Sequence, residues 1–319
     1  SVSVDTATKF AQMFFALGLF ALVFVGTLLL ASMFKGRRGE KIQAGAFVLP
    51  SLVLLLGLLV PGLMTIWRSF QSDTNGSFGF SNYADIFTRS ENLLVLRNTA
   101  IWVVLVPVLA TAVGLLYAIL IDRSPVEALA KALVFLPMAI SMVGAGIIWK
   151  FVYEYRTAGR TQIGLFNAIL DALGKDPKNF MLDAPSNTFF LIVVMVWIQA
   201  GFAMTVLSAA IKAIPDDIIE AAKLDGVEGL KMFRFITLPS IRSALIVVLT
   251  TIGIGTLKVF DIVRTMTGGN FQTSVIANEF YDAIFRYNRE GLGAAFAVLL
   301  FVLVIPIVVY NIVQMRKDA

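Results

Sequence analysis

Two polar patterns in this chain have residue types and a spacing typical of a contact with another molecule. The first combines a carboxylate with small residues and a glycine, and the second follows ten residues later and ends in proline. They are Glu220-Ala221-Ala222-Lys223-Leu224-Asp225-Gly226 and Ile236-Thr237-Leu238-Pro239. Long apolar runs lie before and after these patterns, so together they form a polar loop between hydrophobic segments. A loop of this kind usually offers one face of a membrane protein to a soluble partner.

Composition excludes several kinds of chemistry. The 319 residues are 58% hydrophobic and only 15% charged, which is typical of a protein that crosses a membrane several times. The chain has no cysteine and no histidine, which excludes disulfides, Cys/His metal sites and catalysis by imidazole or thiolate. Its charge of +5 does not indicate nucleic-acid binding, because the basic residues flank apolar runs as membrane-edge anchors.

The apolar runs predict an all-α membrane protein with seven transmembrane helices, since about 20 residues cross a hydrocarbon core. Six runs are uncharged: Phe10–Phe34, Ile42–Trp67, Asn98–Ile121, Ala132–Trp149, Ala184–Ile211 and Gly291–Met315. The remaining run, Ser243–Leu257, reaches full length only if its helix continues through Lys258 and Asp261. The first run lacks a basic leader and is too long for a signal-peptide core, so we expect a retained helix.

The short first loop predicts the orientation of the helices. Its sequence KGRRGEK contains four basic residues and one acid: Lys35, Arg37, Arg38, Lys41 and Glu40. Basic loops remain on the cytoplasmic side, which predicts that the N-terminus lies outside and the C-terminus lies in the cytoplasm. The same topology places the patterned loop, Lys212 to Arg242, in the cytoplasm.

Within this loop the residue types predict two short helices joined at a glycine. Pro215 with the acids Asp216 and Asp217 is typical of a helix start. Gly226 is expected to end that helix, because glycine readily adopts the left-handed backbone conformation. A second helix is expected from Val227 to Thr237, with Leu238-Pro239 as its stop. An apolar face is expected on each helix: Ile218, Ile219, Ala221, Ala222 and Leu224 on the first, and Leu230, Phe233 and Ile236 on the second.

An amphipathic hairpin that rests on lipid headgroups is the structural alternative for this loop. The spacing is more specific: E-A-A, three residues, G, nine residues, then I-x-L-P. This pattern resembles the signature loop of the membrane subunits of binding-protein-dependent ABC importers, and five spans before it with two after it agree with that family. Other stretches are similar to the carbohydrate-importing, maltose-type group and above all to α-glucoside permeases: Leu257–Ile262, Met266–Phe271, Trp197–Gln199 and Ala213–Asp217.

The resemblance implies two regions and a set of partners. An extra N-terminal helix with its linker would occupy residues 1–42, and the permease domain residues 43–319. The implied partners are a second homologous permease, two ABC ATPase subunits and an extracytoplasmic sugar-binding protein, in a bacterial or archaeal cell membrane. The residues implied to dock on the ATPase are Glu220, Ala221, Ala222, Asp225, Gly226, Leu238 and Pro239.

No enzymatic activity or cofactor is expected on this chain, and the resemblance assigns ATP and Mg to the partner ATPases. A phosphate-binding loop requires G-x-x-x-x-G-K-[ST], and Asp176 follows the one Gly-Lys pair, Gly174-Lys175.

Polar side chains within the apolar runs are candidates for a substrate path, since they are costly in a membrane and often functional. Hydrogen-bonding groups beside aromatic rings are typical of sugar binding. The candidates are Gln199, Phe202, Thr256, Lys258, Phe260 and Asp261. Lys258 and Asp261, three residues apart on one helical face, could instead pair with each other or extend to the interface. Where maltose-type permeases hold sugar with asparagines and a serine, this chain has mostly apolar residues, with Ile252, Thr256 and Val259 among them.

Two other function classes remain as alternatives. An ion-coupled secondary transporter would be expected to contain inverted repeats and an acid near a span centre, and the sequence has neither. An intramembrane enzyme would need paired carboxylates or metal ligands at membrane depth, and none are found. Maltose, trehalose, sucrose, longer α-glucans and glucosyl compatible solutes all remain possible substrates of an importer.

Overall fold

The computed structural model describes residues 2–33, 37–122 and 124–318, and within these ranges the regular secondary structure is helical. The chain divides into two units, Ser1–Trp67 and Arg68–Ala319. The first unit consists of α1 (Val2–Met33) and most of α2 (Arg37–Ser69). Each contains an apolar window long enough to cross a membrane, with no residue of the window buried. Exposed apolar side chains are typical of helices that contact lipid or another membrane helix.

The predicted first loop is shorter than expected. Arg37, Arg38, Glu40 and Lys41 belong to the first turns of α2 rather than to a loop, since arginine, lysine and glutamate are good helix formers. Residues 34–36, which include Lys35, lie outside the described residues.

The second unit contains the remaining helices. In chain order they are α3 (Ser81–Thr88), α4 (Ser90–Ile121), α5 (Glu127–Phe135), α6 (Met142–Val152), α7 (Leu165–Ala172), α8 (Ser186–Lys212), α9 (Asp216–Leu224), α10 (Gly229–Met232), α11 (Leu238–Ser240), α12 (Arg242–Leu257), α13 (Asp261–Met266), α14 (Ile276–Phe285) and α15 (Glu290–Asp318). A 3₁₀ turn, Leu136–Ala139, follows α5, and a π-helical segment, Phe233–Thr237, joins α10 to α11.

Five helices in the described residues are long and apolar enough to cross a membrane, and the number rises to seven if each of two bent helix pairs is one span. One pair, Glu127–Ala139 with Met142–Val152, bends by 105°, so the predicted span Ala132–Trp149 is not one continuous helix. Pro137 interrupts the helical hydrogen bonding there, and the Ser141 hydroxyl starts α6 by accepting a hydrogen bond from the Gly144 amide.

The second bent pair, Gly229–Ser240 with Arg242–Leu257, bends by 70°. Its α12 ends at Leu257, so the expected continuation of this helix through Lys258 and Asp261 is wrong. The last turn tightens as the amides of Lys258 and Val259 donate to carbonyls three residues earlier, and buried Val259 directs the chain into α13.

The main core lies where α4, α8, α12 and α13 meet. Trp102, Leu207, Ile252 and Ile262, one from each helix, are fully buried in it. Two glycines allow α8 to approach its neighbours closely. A Cβ on Gly114 of α4 would lie 2.6 Å from the Met204 backbone nitrogen of α8, and one on Gly201 of α8 would lie 2.7 Å from the Val134 carbonyl of α5. Small residues at such crossings permit backbone contact in membrane proteins, so α4, α5 and α8 form one tightly packed group.

Candidate functional site

The loop that connects α8 to α12 begins with the helix expected from sequence. α9 starts at Asp216 after Pro215, with Asp216 and Asp217 in its first turn. Acids at this position interact favourably with the positive end of the helix dipole. The helix continues to Leu224, which confirms the prediction of a short helix that ends just before Gly226.

Gly226 ends α9 with a left-handed turn. Its φ is +74°, its amide donates to the Lys223 carbonyl at 3.0 Å, and the Val227 amide donates to the Ala222 carbonyl at 2.9 Å. This pair of bonds is the Schellman arrangement that satisfies the last carbonyls of a helix. A Cβ on Gly226 would meet no atom within 4 Å. Glycine is therefore favoured here by the backbone conformation and not by lack of space.

The second half of the loop differs from the prediction. The helix begins at Gly229 rather than Val227 and widens into π geometry over Phe233–Thr237. Leu238-Pro239 was expected to stop the helix, but both residues lie inside α11, which continues to Ser240. The Leu238 amide donates five residues back to the Phe233 carbonyl, and Pro239 then has no amide hydrogen that needs a partner.

The loop has a buried inner face. Ile214, Ala222 and Ile241 are buried, and Ile219 packs against the main core. This face fastens the loop to α8 and α12, because the cluster that contains Ile214 and Ile241 also contains Leu207 of α8. The loop is therefore a packed extension of the helical core.

The opposite face combines apolar side chains with a carboxylate. Leu224 is 90% exposed and Leu230 is 80% exposed, so the apolar faces predicted for the two helices are only partly buried. Glu220 is also exposed, and its carboxylate forms no ion pair within the described ranges. An exposed apolar surface next to an unpaired charge is typical of a protein interface. The other predicted docking residues divide as follows: Ala221, Asp225, Gly226 and Pro239 are exposed, Leu238 is half-buried and Ala222 is buried.

A charged cluster that the sequence reasoning missed lies at the end of α8 where this loop begins. Lys131 of α5 pairs with Asp122, just after α4, at 2.5 Å and with Glu127 at 2.8 Å. The Ser208 hydroxyl of α8 donates to Asp122 at 2.8 Å and accepts from Lys131. Lys212, the last residue of α8, pairs with Glu127. We call these five residues the α4–α5–α8 clamp. The signal in the sequence is the set of opposite charges Asp122, Glu127 and Lys131, between the apolar run that ends at Ile121 and the run that begins at Ala132.

The predicted substrate-path residues lie in different surroundings. Gln199 is half-buried within α8, and its side-chain amide makes no hydrogen bond in the part of the chain that the structure describes. Phe202 of the same helix packs against the main core. Thr256 is fully buried, and its hydroxyl donates to the Ile252 carbonyl of its own helix at 2.7 Å. An unpaired amide within a span is a stronger candidate for a substrate contact than a hydroxyl that is already bonded.

Lys258 and Asp261 do not share a helical face. They are exposed on either side of the break between α12 and α13, and no ion pair forms between them among the described residues. Phe260 lies between them in the chain, and its ring packs against Tyr281 with centroids 5.3 Å apart. The same described ranges contain no group of three or more acidic residues placed to hold a metal ion.

A loop held by two buried asparagines follows α13. The Asn98 amide of α4 donates to the Gln272 and Ser274 carbonyls, and the Asn187 amide of α8 donates to the Phe271 carbonyl. Phe271 and Gln272 have positive φ values of 55° and 62°. Left-handed non-glycine residues persist only where the surrounding structure holds them. The two asparagines provide that support, and they leave the Phe271 side chain exposed.

An acidic side chain near this loop has a raised pKa. Burial raises the pKa of the Glu279 carboxyl above its usual value of 4.5, and the nearby Asp282 and Glu91 carboxylates add to the shift. A hydrogen bond from the Ser274 hydroxyl and the charge of Arg286 oppose it. The folded protein therefore favours protonation of Glu279 more than an exposed position would.

We expect Glu279→Gln to stabilise the protein at pH 8 and to change little at pH 4. A raised folded-state pKa gives a stabilising contribution that is complete below the unfolded value, near 4.5, and is lost as pH rises through the folded value. Glutamine cannot ionise and avoids this loss. Thermal unfolding in detergent between pH 4 and pH 8 measures the effect, with Asp171→Asn at an exposed position as the control. A stabilisation independent of pH would contradict the assignment.

Comparison with known proteins identifies the family. Residues 94–316 match the family described as the binding-protein-dependent transport system inner membrane component. The chain belongs to this family. The permease is therefore a membrane-embedded part of a transport system, and the exposed loop after α8 lies within the matched region.

Similar proteins include named transport permeases. The osmoprotective compounds uptake permease protein GgtC of Synechocystis sp. is 47% identical over 274 residues, which cover 85% of this chain and 98% of GgtC. The alpha-glucoside transport system permease protein AglF of Rhizobium meliloti is 45% identical over 286 residues, covering 89% and 85% of the two chains. A trehalose/maltose permease, MalF of Thermococcus litoralis, is 32% identical over 286 residues, covering 85% and 93%.

A solved structure has the same fold. A chain of the bacterial ABC transporter that imports the acidic polysaccharide alginate matches with a TM-score of 0.74, at 22% sequence identity. The match covers 88% of this permease and 99% of that chain.

Proposed function

We propose that this permease is one of two membrane subunits of an ATP-driven importer for an α-glucoside or a related glucosyl compound. The observation that carries the proposal is the exposed helix–glycine–helix loop, in which Glu220 and Leu224 are free to contact a soluble partner. The substrate class rests on similarity to permeases named for alpha-glucosides and for osmoprotective compounds.

The proposed assembly contains a second homologous permease, two ABC ATPase subunits and an extracytoplasmic sugar-binding protein. ATP and Mg would bind to the ATPases, because this chain has no phosphate-binding loop. The exposed face of the loop would dock on an ATPase. Its buried face, with Ile214 and Ile241, would transmit the ATPase movement into α8 and α12, and so shift the spans between inward-open and outward-open states.

The proposed topology has seven spans, with the N-terminus outside and the C-terminus in the cytoplasm. It counts each bent helix pair as one span and places α9 to α11 on the cytoplasmic side. Residues 1–42 would form an additional helix and linker, and residues 43–319 the permease domain. Single cysteines introduced into the loops can be labelled from one side of the membrane to test this topology, because the chain has no native cysteine.

Gln199 is the leading candidate for a substrate contact along the proposed path. Its side-chain amide is half-buried and forms no hydrogen bond in the part of the chain that the structure describes. Lys258, Asp261 and Phe260 would contribute at the break after α12. Phe202 is partly buried against the main core and Thr256 is fully buried, which favours a role for both in supporting the wall of the path.

A sugar panel tests the substrate class. The binding-protein partner should bind one of maltose, trehalose, sucrose, an α-glucan or a glucosyl compatible solute, and the assembled complex should import that compound. An alginate oligosaccharide is the matched negative compound, since a carrier of similar fold imports alginate. Import of alginate and of no glucoside would contradict the substrate class. Uptake that follows a proton gradient would favour a secondary transporter.

A further inference from the structure

The clamp joins three separate parts of the chain at the point where the exposed loop begins. Asp122 follows α4, Glu127 and Lys131 belong to α5, and Ser208 and Lys212 belong to α8. Ser208 is 86 residues from Asp122 along the chain, and it is 3% exposed. Its hydroxyl donates to both carboxylate oxygens of Asp122, at 2.8 and 3.0 Å, and accepts from Lys131. The three groups therefore form a closed triangle with no spare donor on the serine.

The same three helices are also in backbone contact at positions that precede the clamp in α4 and α8. Gly114 brings α4 against Met204 of α8, and Gly201 brings α8 against Val134 of α5. The clamp adds a directional connection at one end of this packed group. Lys212, its last member, is followed directly by Ala213 and by the buried Ile214 that begins the loop.

The composition of the clamp favours a mechanical role. A largely buried ion pair adds little net stability, because desolvation of both charges offsets their attraction. An apolar cluster would hold three helices together equally well. Charged groups with fixed hydrogen-bond partners hold the helices in one relative arrangement and resist sliding between them, since a displaced partner would leave a buried charge unpaired.

We propose that the clamp makes the loop, α4, α5 and α8 move as one rigid body, so that a push on α9 displaces α4 and α5 together with α8. Asp122, Lys131 and Ser208 are positioning residues in this proposal, which rests on the proposed function for the source of the push. Without the clamp, the loop would move without an equal displacement of α4 and α5. ATP hydrolysis would then be uncoupled from transport.

A distance measurement tests the rigid body without relying on transport. Spin labels on Leu133→Cys in α5 and Asp216→Cys in α9 occupy exposed positions on either side of the clamp. In the assembled complex, the distance between them should be the same with and without bound nucleotide. In the same background, Asp122→Asn and Ser208→Ala should broaden or shift this distance when nucleotide binds. A distance that changes in the otherwise unmodified complex, or one that stays fixed in both variants, overturns the proposal.

The second readout is the amount of substrate imported per ATP hydrolysed. We expect this ratio to fall about tenfold in Asp122→Asn and in Ser208→Ala, within the usual range of coupling between sites. Ser208→Thr retains the hydroxyl and should keep most of the ratio. A purely structural role would lower yield, ATPase activity and import together and leave the ratio unchanged, which would contradict the proposal.

The two readouts separate two kinds of failure. If the complex hydrolyses ATP without importing any glucoside while the label distance stays fixed, the proposed function fails and the rigid body stands. If import occurs normally but the variants keep the parent distance and ratio, the clamp proposal alone fails. Ser208→Ala leaves every ion pair in place, so it remains informative if Asp122→Asn does not assemble.

Discussion

Gly226→Pro is expected to abolish ATP-driven uptake while the permease remains inserted in the membrane. Proline fixes φ near −65°, whereas Gly226 has a φ of +74° and donates its amide to the Lys223 carbonyl. The substitution therefore removes a hydrogen bond and forbids the observed turn, at a cost of about 3 kcal/mol or more. A cost of this size reduces the population of the correct loop by about a hundredfold. Uptake of labelled glucoside by vesicles that contain equal amounts of permease measures the effect.

Gly226→Asn is the matched control for this prediction. Asparagine adopts the left-handed conformation more readily than other residues with a side chain, and its Cβ would meet open space at this position. We expect the asparagine variant to retain most of the uptake, and an alanine variant to fall between the two. If proline and asparagine reduced uptake equally, the turn conformation would not be the reason for the glycine.

Glu220→Ala is expected to reduce uptake by at least about tenfold through loss of ATPase binding. Its carboxylate is exposed and unpaired within the described ranges, so its removal should not unfold the permease. At an interface, loss of one member of a buried charge pair costs about 2–5 kcal/mol. Copurification of the ATPase with the permease, together with uptake, measures the change.

Glu228→Ala provides the control for the second prediction. Glu228 lies in the same loop and is exposed, and its side chain makes no capping hydrogen bond. We expect it to leave ATPase binding nearly unchanged. Equal loss in the Glu220 and Glu228 variants would indicate a general effect of negative charge, and unchanged uptake in Glu220→Ala would remove this residue from the docking surface.

Local chemistry explains which parts of the loop were predictable from sequence. Pro215, Asp216 and Gly226 act within one helical turn, through dipole interactions and backbone conformation, and α9 has the expected bounds. The second half was not predictable in the same way. The sequence Leu238-Pro239 is typical of a helix end, but the π segment before it shifts the hydrogen bonding so that the proline lies inside the helix.

Long-range packing explains the parts that sequence reasoning missed. Apolar runs indicate length but carry no information about direction, so the bend of 105° before α6 was not predicted. Lys258 and Asp261 would share a helical face only in a continuous helix, and the break after Leu257 separates them. The clamp depends on residues 86 positions apart, and only the close approach of α4 and α8 brings Asp122 and Ser208 together.

Reconstituted import is the most direct test of the proposed role. The permease, its partner permease, the two ATPase subunits and the binding protein would be placed in vesicles with a labelled α-glucoside. We expect accumulation that requires both ATP and the binding protein and that persists when the proton gradient is collapsed. Accumulation without the ATPase, or accumulation that disappears with the proton gradient, would contradict the assignment of this chain to an ATP-driven importer.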